Sequence, residues 1–417
     1  MASQDAIRRP AGGLLARVTL PFLAGYFVSY VYRASNAILG PALAAEFGLS
    51  AAGLGLLTGV YFLAFALFQL PLGLLLDRFG PRRVNATLLL VAASGGLWFS
   101  LADSGASAIA ARALIGLGVS GCLMSTFQAF VLWHPPGRIA TLNGVAFSAG
   151  ALGAITATVP LEMALRVLHW REAYVGIVAI TVAVSLVLFF WVPERSAAPK
   201  GERFSEQLRG LVALLGDAAF QRIALCVGAS QLATVSLVTL WIATWLRDVA
   251  GYSPAEVARG LLALNVALIV GYIGFGRAAD ALARRSADTL VLLAGGVAAA
   301  SLALGLLALG VTSGALALWW VFVCGSTGVT LAYAILSRRY PKSMAGRVNT
   351  ALNVFVFGGV FLGQWGVGVV LNLWPASAIG GYAPEGYRWA LGALWLAQFA
   401  GLAWLWRGRA LFAARAD

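Results

Sequence analysis

Residues 73–83 read Gly73-Leu74-Leu75-Leu76-Asp77-Arg78-Phe79-Gly80-Pro81-Arg82-Arg83, a short charged turn between two long apolar runs. Neither the run before it, 51–76, nor the run after it, 84–102, contains a single charged residue. A helix needs about 20 apolar residues to cross a bilayer core. The stretch therefore reads as the tight basic connection of a helical hairpin set across a membrane. Everything else in the chain is consistent with that unit repeated.

The whole chain has 417 residues, of which 60% are hydrophobic and only 11% charged, with a net charge of +13. A soluble protein carries roughly a quarter charged residues, so this chain has too few to coat water-soluble domains. A soluble enzyme, a disordered chain and a secreted disulfide scaffold are excluded together. Cys122, Cys226 and Cys324 are isolated within apolar runs, and no Cys/His cluster offers a metal site. No cofactor, no metal and no nucleic-acid partner is expected; the lipid bilayer is. The scarcity of lysine (Lys200 and Lys342 only) beside abundant Ala and Gly points to a bacterial, GC-rich genome.

Twelve apolar runs can be read: 18–41, 51–76, 84–102, 106–133, 139–161, 172–192, 220–246, 255–276, 288–309, 314–337, 347–373 and 389–406. Backbone in lipid must satisfy its own hydrogen bonds, and runs of this length do so as helices, not as the short alternating strands of a barrel. Basic residues then set the orientation. With the N-terminus inside, twenty-two Arg and Lys fall on the inner side and five on the outer, leaving only Arg33 and Arg112 within the membrane. Most of the +13 is thus a topology signal. Both termini are expected in the cytoplasm of a multi-pass protein of the bacterial inner membrane.

The longest charged stretch, Pro193 to Asp217, lies midway and separates six runs from six. The expected organisation is a six-helix bundle over 1–193, a cytoplasmic loop over 194–218 and a second six-helix bundle over 219–417. An internal repeat supports the division. Gly276 to Asp280 followed by Arg284 and Arg285 echoes Gly73 to Asp77 followed by Arg82 and Arg83. Arg138 to Asn143 is echoed by Arg347 to Asn353. Two similar halves with a site at their interface are a recurrent transporter design.

The segment 73–83 resembles the loop signature of the major facilitator superfamily, with its weaker copy after the eighth helix. Arg112 to Gly121, an arginine followed by spaced glycines, resembles the same superfamily's helix 4. The likeness covers the whole chain and implies an all-α fold of twelve transmembrane helices in two pseudo-symmetric bundles. Within it, Gly25 to Asn36, tyrosines leading to an intramembrane Arg33, looks like the organic-anion carriers, as do Trp170 to Tyr174 and Tyr61 to Gly73. Two features depart from that pattern. The seventh helix carries no second arginine of the organophosphate exchangers, and Tyr32 and Val119 stand where the carboxylate symporters usually have acids.

An arginine at mid-membrane costs about 2.5–3.5 kcal/mol on insertion scales, so it usually faces a cavity or partner. No Asp or Glu lies mid-helix to neutralise Arg33. A guanidinium without a counter-ion is suited to a carboxylate or similar planar anion. The alternatives are that it snorkels to the outer headgroups or bonds helix-end carbonyls. The expected binding residues are Arg33, Tyr26, Tyr30, Tyr61, Gln128, Gln231, Asn265, Tyr333 and Asn353, with each amide equally suited to joining two helices. Gating and structural roles are expected for Gly73, Asp77, Arg78, Arg82, Arg83, Arg112, Asp280 and Arg284. Arg112 is expected to tether the first and fourth helices.

No nucleophile–base set is present, so an enzyme is not expected. The leading expectation is a secondary transporter working by alternating access on a small organic anion such as a carboxylate, by symport or exchange. Its coupling ion would be a proton or cation, and it would work as a monomer. The competing expectation is an efflux carrier for a neutral or apolar small molecule, with Arg33 structural. Helix 5, Gly144 to Gly153, lacks the Gly-Pro pair usual in drug–proton antiporters of the superfamily, which weighs against it.

Overall fold

A computed structural model describes residues 13–135, 138–195, 209, 214–283, 289–340, 345–375 and 381–412. Almost all of them are helical. We number the membrane helices α1 (20–46), α2 (51–79), α3 (81–100), α4 (105–133), α5 (139–164), α6 (Trp170–Trp191), α7 (218–248), α8 (Pro254–Ala283), α9 (Thr289–Ala308), α10 (315–339), α11 (Ala345–Leu371) and α12 (Pro384–Arg407).

Ten of the twelve are long and apolar enough to span a membrane by those criteria alone. α1 carries Arg33 and, near its end, Pro41; its backbone stays helical through Ser35, whose N–H bonds Val31 and whose carbonyl takes the Leu39 N–H. α3 opens on Arg82 and Arg83 and is joined to α2 without a loop.

That joint is the stretch 73–83. It forms a kink, not an extended connection. Gly80 takes φ 76° and ψ 162°, a conformation that costs an L side chain dearly and glycine little. Pro81 follows at the first position of the next helix, where its missing N–H is no loss. Arg82 donates to the Val192 carbonyl at the end of α6 (2.9 Å) and pairs with Glu194 at 3.2 Å. Arg83 pairs with Glu194 at 3.0 Å. Arg78 is exposed and lies over Phe79 (5.2 Å), while Gly73 and Asp77 are half-buried. Among the described residues these arginine contacts stay within α2, α3 and the end of α6 with Glu194 just beyond it. In the repeat, Asp280 lies in the last turn of α8, but its side chain, and all of Arg284, lie outside the described residues. So does most of the central segment, 196–208 and 210–213.

Small residues let the helices approach closely, as is usual where lipid removes the hydrophobic drive between them. A Cβ at Gly116 of α4 would stand 2.1 Å from the Tyr61 carbonyl of α2, and one at Gly153 of α5 would stand 2.2 Å from the Phe27 carbonyl of α1. The same device joins the first six helices to the last six. α2 and α11 run side by side: Gly368 against Ala51, Gly55 against Gln364, Gly59 against Phe361, then Phe62 and Phe65 against Phe357. α1 meets α7 where Gly40 faces Leu240. Trp241 donates to the Gln364 carbonyl (3.0 Å), and the Gln364 amide donates to Thr239 (2.6 Å). Among the described residues these close α2–α11 contacts stop at Phe65 and Phe357. The end carrying Glu46, Ser50, Asp248 and Asn372 is therefore the closed end of the interface.

Candidate functional site

Arg33 lies where the closed contact stops. On α1, Tyr26, Tyr30 and Arg33 share one face by their spacing of four and three residues. The Tyr26 hydroxyl donates to that of Tyr30 (3.3 Å), and the two rings meet edge to face at 5.1 Å. Gly150 of α5 makes the room: a Cβ there would come within 2.8 Å of Tyr26 and 3.0 Å of Tyr30. Arg33 lies over the Tyr30 ring at 4.5 Å, with Phe65 at 5.4 Å, Phe357 at 5.5 Å and Phe62 at 5.9 Å. Desolvated cation–π contacts of this kind contribute up to about 2 kcal/mol each.

The aromatic cage stabilises the charge without neutralising it. Among the described residues no carboxylate pairs with Arg33, and its Nε is buried with no hydrogen-bond partner. The Tyr61 hydroxyl stands beside the guanidinium and also donates to the Ser29 carbonyl at 3.3 Å. Because Phe357 belongs to α11 and the other rings to α1 and α2, the cage is shared between the first six helices and the last six. From α8 and α10, Tyr272 and Tyr333 come within electrostatic reach of Tyr30. Tyr272 is 44% exposed, and Tyr333 donates to Asn353 of α11 at 2.7 Å.

Among the described residues Arg112 shares with Arg33 the want of a carboxylate, and its Nε and Nη2 are likewise buried without partners, but it lies away from the interface and is anchored by hydrogen bonds. It is fully buried and donates to the Tyr32 carbonyl (3.1 Å) and the Tyr174 hydroxyl (2.9 Å), linking α4 to α1 and to α6. Its guanidinium lies over Tyr61 (5.1 Å) and Phe99 (5.8 Å). Tyr61 thus stands between the two membrane arginines, itself buried.

Two of the expected binding amides have backbone partners elsewhere: Gln128 donates across to the Leu76 carbonyl of α2 at 3.4 Å, and Asn265 donates to the Leu261 carbonyl of its own helix at 2.9 Å, as an intramembrane amide seeks a polar partner. Gln231 is half-buried on α7. Conversely, Phe62, Phe65, Phe357 and Gly150 were not expected at the site. The spacing of Phe62 and Phe65 beside Tyr61 was visible, but such a stripe reads equally as core.

Away from the membrane interior, Glu46 at the end of α1 takes hydrogen bonds from the Trp170 indole and from Arg171. Partial burial raises its carboxyl, but these two donors outweigh that and hold it below the ordinary glutamate value. Asp248, almost wholly buried, accepts from Arg247 Nε (2.6 Å), the Tyr382 N–H (3.0 Å) and the Tyr387 hydroxyl (2.9 Å). A cavity of about 570 Å³ at the closed end is lined by Ser50, Thr244, Arg247, Asn372 and Tyr382, none of which belongs to the Arg33 cluster.

Among the described residues, twelve helices meeting along a glycine-lined interface, with a caged arginine where its close contacts stop, define a polytopic membrane protein. The chain belongs to the Major Facilitator Superfamily, whose family model matches residues 22–364. A bacterial homologue of the human lysosomal transporter Spinster, solved in an inward-facing and unoccupied conformation, shares the fold with TM-score 0.78 and 19% identity, over 96% of this chain and 98% of that one. The probable sulfoacetate transporter SauU of Cupriavidus necator is 28% identical over 40% of this chain and 39% of its own length. The hexuronate transporter of Bacillus subtilis is 27% identical over 42% of this chain and 41% of its own. A quinolone resistance transporter of Acinetobacter baumannii is 25% identical over 40% of each chain. The match thus spans about two fifths of the length of these curated relatives.

Proposed function

We propose that this protein is a secondary transporter that carries a small organic anion, a carboxylate or sulfonate, by alternating access, and that Arg33 is the group that binds it. The observation that carries the reading is a membrane-embedded guanidinium caged by four aromatic rings drawn from both sides of the interface, with no carboxylate partner among the described residues. An anion with paired oxygens, as a carboxylate or sulfonate has, supplies both the missing charge and paired acceptors. Tyr26, Tyr30, Tyr333 and Asn353 are assigned as polar neighbours of the bound anion, and Tyr61 as the residue that orients Arg33. The sulfoacetate and hexuronate carriers among its relatives favour the same substrate class.

The charge distribution favours cytoplasmic termini, an outward-facing closed end and a bacterial inner-membrane location. Two six-helix units, divided within 194–218, would rock about the Arg33 level as a functional monomer. Gly73, Asp77, Arg78, Arg82, Arg83, Asp280 and Arg284 would serve the inner joints, and Arg112 would hold α1, α4 and α6 together. The second reading, efflux of an uncharged or apolar compound, is favoured by the quinolone resistance relative. Proteoliposome uptake separates them. Arg33→Ala and Arg33→Lys are expected to abolish and to impair anion uptake respectively. Unchanged transport in both variants refutes the anion role of Arg33.

A further inference from the structure

The cavity of about 570 Å³ at the closed end takes no part in the Arg33 cluster, yet its size is that of a small-molecule site. One apolar wall comes from the corner between α1 and α2, with Pro41, Leu49 and Leu54. The other comes from the last six helices, with Leu371 at the end of α11 and Trp374 just beyond it. The polar lining is rich in donors. Ser50, Arg247, Asn372 and Tyr382 all line it, and among the described residues nothing accepts the two hydroxyl protons, the Asn372 amide or the Arg247 amino groups. Arg247 gives only its Nε to Asp248, and its side chain stays 34% exposed. Asp248 does not line the cavity: it is 2% exposed and already bonded by Arg247, the Tyr382 N–H and the Tyr387 hydroxyl.

Free donors beside apolar walls, with no carboxylate among the described lining residues, suit an oxyanion carried on an apolar body. The hollow also depends on conformation. Ala51 lines it and is the residue against which Gly368 packs, and Leu371 lines it one turn further along α11. Parting α2 from α11 therefore draws the two walls apart. A ligand that touches both walls binds the closed conformation alone, and so favours it.

We propose that this cavity is an inhibitory site for a small amphipathic anion, an aryl or alkyl carboxylate or sulfonate, which bridges the two walls and holds this end shut. Its oxygens take the donors of Arg247, Asn372, Ser50 and Tyr382, and its apolar body lies between the walls. Glucuronate and sulfoacetate lack such a body and are not expected to fill it. The site is separate from the anion binding assigned to Arg33 and stands whether or not that reading does.

The test uses the full-length Arg33→Gln chain in detergent, so that binding at Arg33 does not contribute. The probe is 2-naphthoate, with the uncharged 2-naphthamide beside it. 2-Naphthoate is expected to raise Tm progressively once its concentration passes Kd. The amide should bind roughly ten- to a hundredfold more weakly, the worth of hydrogen bonds to a charged group, and Arg247→Gln should weaken 2-naphthoate by a similar factor. Because Arg247→Gln also takes a partner from Asp248, Ala45→Trp serves as the second variant. Ala45 is an exposed lining residue that touches neither side chain, and an indole there fills the hollow and should abolish the rise. The lock is read by double electron–electron resonance between labels at Ala106 and Leu373, exposed on opposite sides of the interface at this end. A Gly368→Ala background drives the walls apart by overpacking. There 2-naphthoate is expected to shrink the longer-distance population. No rise in Tm, or an equal rise in Ala45→Trp, overturns the site. A rise with an unchanged or larger longer-distance population overturns the lock, and the inhibitory role with it.

Discussion

Replacing Gly368 with alanine adds one methyl group at the tightest crossing between the first six helices and the last six. On the present backbone that Cβ would lie 2.2 Å from the Ala51 carbonyl oxygen and 2.9 Å from the Ala52 Cα. Both neighbours are backbone atoms that no rotamer change can move aside. Restoring van der Waals distance requires α2 and α11 to part by roughly 1 Å. Overpacking of this kind costs about 1–3 kcal/mol. The cost falls only on the conformation with this end closed, so the equilibrium should shift toward the opened end by roughly 5- to 150-fold. Spin labels at Ser50 and Asn372, both exposed at the closed end, report the shift as growth of a longer-distance population in double electron–electron resonance. Gly366→Ala on the same helix is the control, because a Cβ there meets nothing within 4 Å. If Gly368→Ala and Gly366→Ala give the same distance distribution and the same Tm, the contact does not hold this end shut and the interface argument fails.

Other perturbations follow from the same contacts. Arg112→Leu takes its donor from the buried Tyr174 hydroxyl and one of two side-chain donors from the Tyr32 carbonyl, which keeps Ser35; this should lower stability by about 1–3 kcal/mol and appear as a reduced Tm in detergent. Asp248→Asn removes the charge that Arg247 Nε, the Tyr382 N–H and the Tyr387 hydroxyl converge on, and should loosen the end of α7 from residues 381–387. Hydrogen exchange at Tyr382 should rise while exchange in α9 stays unchanged. Glu46 gives a pH dependence of definite sign. Its folded carboxyl is held below the ordinary value by Trp170 and Arg171 against the opposing effect of burial, so its contribution is present above the unfolded value of about 4.3 and is lost as pH falls through the folded value. Tm measured from pH 6 down to pH 3 should therefore fall less steeply in Glu46→Gln than in the native protein.

The twelve helices were legible because lipid demands long uncharged runs, and Arg78, Arg82 and Arg83 mark where two of them meet. The form of that meeting was not legible. A charged turn with Gly80 and Pro81 is compatible with a loop, and only the positive φ of Gly80 shows α2 passing into α3 across a kink. Arg33 and Arg112 stood out as the two arginines that topology leaves unexplained, and the structure separates them by their partners. That separation depends on tertiary contacts: Tyr32 and Tyr174 reach Arg112 from distant parts of the sequence, whereas Arg33 meets mainly aromatic faces. Phe357 is the clearest limit of sequence reading. Among 22 phenylalanines, nothing local marks the one that crosses the interface to complete the cage. Gln128 and Asn265 show the converse, since an amide inside a membrane helix announces a polar partner but not which one.

The most direct test of the account is whether an organic anion is held by Arg33. Thermal unfolding of the purified native chain and of Arg33→Gln, each titrated with glucuronate and with sulfoacetate, measures this without any assumption about direction or coupling. A ligand that binds only the folded state raises Tm progressively once its concentration passes Kd. The account predicts such a rise for at least one of the two anions with the native chain, and none with Arg33→Gln when both start from comparable Tm values. Equal rises in the two proteins would place the anion elsewhere and contradict the central claim.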